Sequence, residues 1–349
     1  GGGNALIANA GGNTVFTGTV TGLSTLTTDA GGTTQINGGT VSTSGAQLYN
    51  DNVTFGNGAT TTLTGTLVTF NGTVSGGSTS GLGVTGNAVF GDATTDSVTG
   101  LASLTVSGTT AINTNTITTS GLQTYTGPVT LGTGVNTTLT STGNPITFSN
   151  TVNGAGALTV TTGGQTTFTL AVGGLTPLVS LTTNGGGSTA VNGGSVTTTS
   201  GQTFSDAVTY PVNTIFNAGA GTLTFGSTVT PTVGGLTLNL TADEMVFSGG
   251  AASIKANNGI TLQSSTAAVT DIKVGSNAVT GTAASLDITT ADIAALQAGF
   301  PLITIGRLTA PNFSVTVGNA TFLDNLLIQS PSGVINVIGA LNTVPGKNI

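Results

Sequence analysis

Apolar residues alternate with threonine, serine and asparagine in short runs along most of the chain, and glycine or asparagine closes each run. Residues 13–23, 46–57 and 67–76 all show this cadence. Alternation with a period of two is typical of half-buried β-strands, and glycine and asparagine supply the positive-φ conformations that sharp corners need. The pattern therefore predicts many short strands joined by tight turns.

A long internal repeat is the strongest feature of the sequence. Residues 33–55, 109–131 and 188–210 align by eye, and the phrases TFNGTV, TFSNTV and TFGSTV extend each copy in the same order. Ile36 and Ile112 are 76 positions apart, and Ile112 and Val191 are 79 positions apart. The period is therefore about 77 residues, which indicates a repeat architecture.

The interior of one repeat indicates a solenoid, in which the chain winds in stacked coils. Corners fall every few residues, too close together for the strands of a sandwich. Four coils of about 19 residues, each with two or three strands, account for one repeat, within an expected range of about 18 to 21. Coils stacked about 4.8 Å apart form long parallel sheets. We predict an all-β fold, a right-handed parallel β-helix (β-solenoid) forming a single elongated rod.

Equivalent residues of the three copies are expected to fall in register in this stack. The predicted core ladder consists of the aliphatic positions that the copies share: Ile36, Val41, Val53, Ile112, Ile117, Val129, Val191, Val196 and Val208. The predicted corner residues, expected to form hydrogen bonds along the axis, are Asn37, Asn113 and Asn192. Tyr49, Tyr125 and Phe204 are predicted to form a core or corner aromatic stack.

The 77-residue pattern fades after residue 234, which divides the chain into a repeat section at 1–234 and an irregular continuation of the same helix at 235–349. All four cations, Lys255, Lys273, Arg307 and Lys347, belong to the second section. Residues 290–300 predict a short helix in which Thr290 is the cap, Asp292 lies in the first turn and Gly299 ends the helix.

The composition leaves little material for catalysis. Only 4% of the residues are charged, and histidine and cysteine are absent. A serine nucleophile needs a neighbouring base, and no lysine precedes Lys255. The closest carboxylates, Asp243 and Glu244, are sequence neighbours, which point to opposite faces of a strand. We therefore expect no catalytic residues and no enzymatic activity, and a polysaccharide-active β-helix is the last of the functional alternatives.

Cofactors, metals and nucleic acids are not expected as partners. Asp51 and Asp206 occupy matching positions, but the middle copy has Gly127 there, so a repeated calcium site is not predicted and only an isolated calcium at Asp51 or Asp206 stays open. The net charge of −7 removes the electrostatic attraction that nucleic-acid binding requires. Every apolar run is shorter than the roughly 18 residues of a membrane-spanning helix, so no transmembrane segment is expected.

Two segments carry a resemblance to a known family. Residues 24–57, STLTTDAGGTTQINGGTVSTSGAQLYNDNVTFGN, resemble the strand-repeat arrays of large bacterial surface proteins related to filamentous haemagglutinin. Residues 285–307, SLDITTADIAALQAGFPLITIGR, resemble a segment that follows such arrays. The resemblance implies a secreted β-helix at the bacterial cell surface, used in adhesion or biofilm structure. An amino-terminal secretion domain and an Arg-Gly-Asp motif are not found in this sequence.

The expected function is that of a stalk or matrix component of a bacterial surface adhesin, located outside the cell. The alternative is a self-assembling filament subunit, because the uncapped ends of a solenoid are open sheet edges. A third class is ice binding through threonine ladders, suggested by runs such as residues 60–62 and 197–199. The expected partners are the chain itself and carbohydrate, host or cell surfaces.

Overall fold

The computed structural model describes residues 3–56, 58–282, 284–309 and 313–349. Its strands form parallel sheets stacked as a β-solenoid of about 16 turns. The predicted all-β solenoid is therefore confirmed, whereas its right-handedness stays a prediction. The chain divides into two compact units, residues 1–170 with 184–187 and residues 171–183 with 188–349. The division at residue 234, drawn from the sequence repeat, also stays a prediction.

The strands of the first unit are short because a corner follows almost every three to six residues. They are β1 (Leu6–Ala8), β2 (Thr14–Phe16), β3 (Val20–Leu23), β4 (Leu26–Thr28), β5 (Thr33–Ile36), β6 (Thr40–Thr43), β7 (Gln47–Tyr49), β8 (Asn52–Phe55), β9 (Thr61–Phe70), β10 (Val74–Ser75), β11 (Leu82–Phe90), β12 (Ser97–Leu101), β13 (Leu104–Val106), β14 (Thr110–Ile112), β15 (Thr116–Thr119), β16 (Gln123–Tyr125), β17 (Val129–Leu131), β18 (Asn136–Ser141), β19 (Ile146–Phe148), β20 (Val152–Asn153), β21 (Ala157–Thr162) and β22 (Gln165–Phe168).

The second unit has the same kind of strands and one helix. They are β23 (Leu181–Asn184, whose last residue belongs to the first unit), β24 (Ser188–Val191), β25 (Ser195–Thr197), β26 (Gly201–Phe204), β27 (Ala207–Tyr210), β28 (Thr214–Asn217), β29 (Thr222–Phe225), β30 (Val229–Pro231), β31 (Thr237–Thr241), β32 (Glu244–Phe247), β33 (Gly259–Gln263), β34 (Asp271–Gly275), β35 (Ser285–Thr289), α1 (Thr290–Ala295), β36 (Ile303–Gly306), β37 (Ser314–Val317), β38 (Ala320–Phe322), β39 (Leu326–Gln329), β40 (Ile335–Val337) and β41 (Leu341–Thr343).

Each coil of the first unit contributes one strand to each of three parallel ladders, which we call faces 1, 2 and 3 in chain order. Face 1 contains β1, β4, β7, β14, β17 and β20; face 2 contains β2, β5, β8, β10, β12, β15, β18 and β21; face 3 contains β3, β6, β13, β16, β19 and β22. The long strands β9 and β11 run through a corner, so their first halves belong to face 3 and their second halves to face 1.

The length of a coil varies more than the sequence suggested. Ile36 pairs with Phe55, 19 positions later, whereas Val74 pairs with Val98, 24 positions later. The coils of the first unit therefore run from 19 to 24 residues, and the longest exceed the expected upper limit of about 21, because the corners between strands differ in length.

The repeat does not match a whole number of coils. Ile36 lies on face 2 between Phe16 and Phe55, but its equivalent Ile112 lies on face 1 between Phe90 and Leu131. The chain makes three full coils and passes two further faces between these two isoleucines. One repeat is therefore three and two-thirds coils. The expectation of four coils per repeat, with equivalent residues stacked in register, is wrong in the first unit.

The second unit departs from the regular order at β34 and β35. Strand β34 pairs with β37 on one side and with β35 on the other, although β35 follows β34 in the chain. Helix α1 begins directly after β35, and its cap is Thr289 rather than the predicted Thr290. The helix ends at Ala295, before the predicted Gly299, because Leu296 returns to an extended conformation and forms a parallel bridge with Ile254.

Candidate functional surfaces

The nine residues of the predicted core ladder are all buried, each at most 1% exposed. In the first unit they are distributed over three faces instead of one ladder. Ile36, Val53 and Ile117 lie on face 2, Val41 lies on face 3, and Ile112 and Val129 lie on face 1. In the second unit Val191, Val196 and Val208 lie in β24, β25 and β27. Burying such a side chain contributes about 1.5–3 kcal/mol, so these ladders supply much of the stability of each unit.

The predicted aromatic residues each begin a separate stack of three rings. In the first unit Tyr49, Phe70 and Phe90 stack with ring centroids 5.4 and 5.5 Å apart. The second copy repeats this with Tyr125, Phe148 and Phe168 at 5.3 and 5.1 Å. In the second unit Phe204, Phe225 and Phe247 follow at 5.4 and 6.0 Å. The later rings were missed in the sequence, although the repeated TF phrase contains the second ring of every stack.

A buried glutamine supports the tyrosine in the first two copies. The Tyr49 hydroxyl donates to Gln47 Oε1 at 2.8 Å, and Gln47 Nε2 donates to the Val41 and Thr64 carbonyl oxygens. Tyr125 and Gln123 repeat the first bond at 3.0 Å. Burial raises the pKa of both tyrosines far above the ordinary value, which keeps their hydroxyls neutral donors.

The third copy lacks this hydroxyl. Gln202 Nε2 still donates to the Val196 and Asn217 carbonyl oxygens, at 3.0 and 2.8 Å. The aromatic residue is Phe204, however, and Gln202 Oε1 is buried without a hydrogen-bond partner among the described residues. The third copy therefore contains an unsatisfied acceptor that the first two copies satisfy.

The predicted corner asparagines do not form a ladder with one another. Asn113 Nδ2 donates to the Gly91 carbonyl oxygen of the preceding coil at 3.2 Å, Asn37 uses its backbone N–H to bond the Phe16 carbonyl oxygen, and Asn192 is an exposed turn residue. An axial asparagine pair exists elsewhere, where Asn71 Nδ2 donates to Asn50 Oδ1 at 2.9 Å.

Asp51 is a buried carboxylate held by two threonine hydroxyls. It is 4% exposed and accepts from Thr28 at 3.0 Å and from Thr34 at 2.8 and 3.0 Å. In the middle copy Gly127 replaces this aspartate, and the hydroxyl of Thr110, the equivalent of Thr34, is buried without a partner among the described residues. The aspartate therefore satisfies buried hydroxyls in the core.

Asp243 and Glu244 hold two different loops of the second unit. Asp243 accepts from the backbone N–H groups of Ser265 and Thr266 at 3.0 and 2.8 Å and from the Thr266 hydroxyl. Glu244 Oε2 accepts from the Gly281 N–H at 2.7 Å. Burial raises the pKa of Glu244, and neighbouring carboxylates add to the rise, whereas its backbone hydrogen bonds oppose it.

Both carboxylates line a groove of about 350 Å³ whose described lining contains no cation. The other acids of this unit have similar structural partners. Asp324 accepts from the Gly299 and Phe300 N–H groups at 2.7 and 2.8 Å and pairs with Lys347 at 3.1 Å. The described residues contain no cluster of three acids, histidines or cysteines that could hold a metal. Within the same ranges, no helix is long and apolar enough to span a membrane.

The most regular outward surface is on face 2 of the first unit. Four consecutive coils present two hydroxyl residues each, on either side of an inward aliphatic residue. We call these eight residues the hydroxyl array: Ser97, Thr99, Thr116, Thr118, Thr138, Thr140, Thr159 and Thr161. Ser97, Thr116, Thr138 and Thr159 pair in one column, and Thr118, Thr140 and Thr161 pair in the other. The threonine runs at residues 60–62 and 197–199 do not form such a surface, since their middle residues Thr61 and Thr198 are buried.

No family model, curated protein or solved structure matches this chain. The resemblance to proteins related to filamentous haemagglutinin therefore stays a prediction.

Proposed function

We propose that this chain is a structural β-solenoid of the bacterial cell exterior, acting as the stalk or matrix component of a surface adhesin. The observation that carries the proposal is the use of the acidic side chains. The carboxylates of Asp51, Asp243, Glu244 and Asp324 accept hydrogen bonds from buried hydroxyls or from loop backbone. Groups that an enzyme would use for proton transfer thus stabilise the scaffold here.

Partners of such a scaffold meet a surface of hydroxyls and amides. Residues 1–242 contain no lysine or arginine. Binding to carbohydrate or to host and cell surfaces is therefore expected to be weak per site, multivalent and insensitive to salt, because ion pairing and counterion release contribute little.

Surface display tests the proposal. Bacteria that display this chain are expected to attach to surfaces and to form more biofilm than cells displaying an unrelated soluble domain at equal density. A displayed Ile112→Asp variant, whose core is disrupted, is expected to lose this increase in attachment and biofilm formation. The proposal is wrong if the purified chain cleaves a polysaccharide and the Glu244→Gln variant loses that turnover.

A second candidate is a filament subunit, favoured by the exposed apolar side chains of β40. Val315 and Val317 are buried, whereas their ladder partners Ile335 and Val337 are 45% and 51% exposed. A second copy, or a further coil of a longer chain, would cover these side chains by adding a strand beside β40. Light scattering that grows with concentration supports this candidate, and monodisperse monomers at high concentration contradict it.

A further inference from the structure

Seven of the eight residues of the hydroxyl array form a two-dimensional lattice. Thr99 lies outside this register, because the pairing of β12 with β15 shifts after Val98. Adjacent coils place the paired residues about 4.8 Å apart, and the two columns are about 6.7 Å apart because the hydroxyl residues of one strand are two positions apart in the chain. The strand register is continuous from Ser97 to Thr159 and from Thr118 to Thr161. Each lattice point presents a hydroxyl, and each threonine adds a methyl group.

The lattice is held rigidly. Beneath it the inward residues Val98, Ile117, Leu139 and Val160 are at most 2% exposed. Threonine is β-branched, so few rotamers are available to the outward side chains. Among the described residues, only one hydroxyl of the array has a side-chain hydrogen bond, from Thr161 to Asn184 at 2.8 Å. The other seven remain available to an external partner.

We propose that the hydroxyl array binds the surface of an ice crystal. Ice presents an uncharged lattice of water donors and acceptors, whose repeat distances in two directions are close to those of the array. Hydroxyls at matching spacings can take the place of lattice waters, while the methyl groups lie in the gaps between them. This site is independent of the stalk proposal, since a stalk needs no particular outward lattice.

Other partners fit the array less well. The array contains no charge, so a charged polymer finds no complement there. Flat recognition of a sugar chain commonly uses an exposed aromatic ring, because the ring stacks on the sugar. The large apolar side chains that are exposed in the described residues include no aromatic ring.

The equivalent residues of the first copy form a natural comparison. They lie on face 3 as Thr40 with Ser42, Thr62 with Thr64, and Gly83 with Thr85. Gly83 interrupts this second lattice, because it has no side chain. A substitution on face 3 is therefore a matched control that changes an outward hydroxyl outside the array.

The test measures thermal hysteresis and ice recrystallisation with the 349-residue chain. We expect measurable hysteresis for the natural sequence, its loss in the Thr138→Lys/Thr140→Lys variant, and its retention in the Thr62→Lys/Thr64→Lys variant. Circular dichroism and melting temperature show whether both variants keep the fold. Absence of hysteresis in the natural chain, or equal loss in both variants, overturns the proposal. The proposal is also overturned if hysteresis is absent and the chain instead binds crystalline cellulose or chitin in a way that only the Thr138→Lys/Thr140→Lys variant loses.

Discussion

The tyrosine–glutamine pairs show how one hydroxyl completes a buried hydrogen-bond network. Gln47 is fully buried, and its amide nitrogen and oxygen both have partners. In the third copy the corresponding Gln202 keeps the nitrogen contacts, and its amide oxygen has no partner among the described residues. The third copy also has Phe216 in the position that Leu63 and Leu139 occupy in the first two copies. The Phe216 ring packs edge-on against Phe204, at a centroid distance of 5.2 Å.

Tyr49→Phe is expected to lower the free energy of unfolding by about 1–2 kcal/mol, because it leaves Gln47 Oε1 buried and unsatisfied. Chemical denaturation measures the change. The reciprocal control is Phe204→Tyr combined with Phe216→Leu, which restores the residue types of the other copies and is expected to be neutral or stabilising. An unchanged stability of Tyr49→Phe would show that the hydrogen bond contributes nothing.

Glu244 is expected to make the stability of the chain depend on pH. Because burial raises its folded pKa, the folded state binds the proton more tightly than the unfolded state, whose pKa is about 4.3. The free-energy cost of burying the ionised carboxylate is absent below the unfolded pKa and complete above the folded pKa. The free energy of unfolding therefore falls as pH rises through that interval. Denaturation at several pH values across this interval is expected to show a smaller fall in the free energy of unfolding for Glu244→Gln than for the natural chain. The exposed Asp92→Asn variant should behave like the natural chain, and identical slopes for all three proteins would contradict the assignment.

At the scale of the strand, alternation separates a core position from an outward neighbour. Ile112 is fully buried, and Ala111 in the same strand points outward between Val89 and Thr130. Ile112→Asp is expected to lower the free energy of unfolding by several kcal/mol, of order 3–5, because it buries an unpaired charge. Ala111→Asp is the matched control and should change the melting temperature only slightly. A similar melting temperature for both variants would be inconsistent with the assigned direction of the strand.

The inward and outward positions could be predicted from the sequence because alternation records them directly. The length of a coil could not, because β9 and β11 continue through a corner at Gly65 and Gly86 that has the appearance of a strand end in the sequence. The start of the helix could be predicted to within one residue, because Asp292 marks its first turn. Its end at Ala295 could not, because the bridge between Leu296 and Ile254 that ends it joins distant segments. The hydrogen bonds that hold Asp243 and Glu244 connect distant loops, and a single sequence contains no signal for such pairs.

At the scale of the molecule, the repeat of three and two-thirds coils distributes each copy's features around the solenoid. In the first unit the Tyr49 stack lies on face 1 and the Tyr125 stack lies on face 3. The three faces have the same strand spacing and the same inward alternation, so a duplicated segment can continue the fold from whichever face it begins on. A repeat that is not a whole number of coils is thus compatible with an uninterrupted core.

Engineered cysteine pairs test the parallel register most directly, because the chain has no natural cysteine. Thr140 and Thr161 are paired 21 positions apart, and neighbouring strands lie about 4.8 Å apart, within the range of a disulfide. Thr140 and Thr159 are 19 positions apart on the same face, but they are diagonal neighbours at about 8 Å, too distant for one. Mass spectrometry after mild oxidation and alkylation should find the intramolecular disulfide in Thr140→Cys/Thr161→Cys and free thiols in Thr140→Cys/Thr159→Cys. The opposite result would contradict the three-faced solenoid described here.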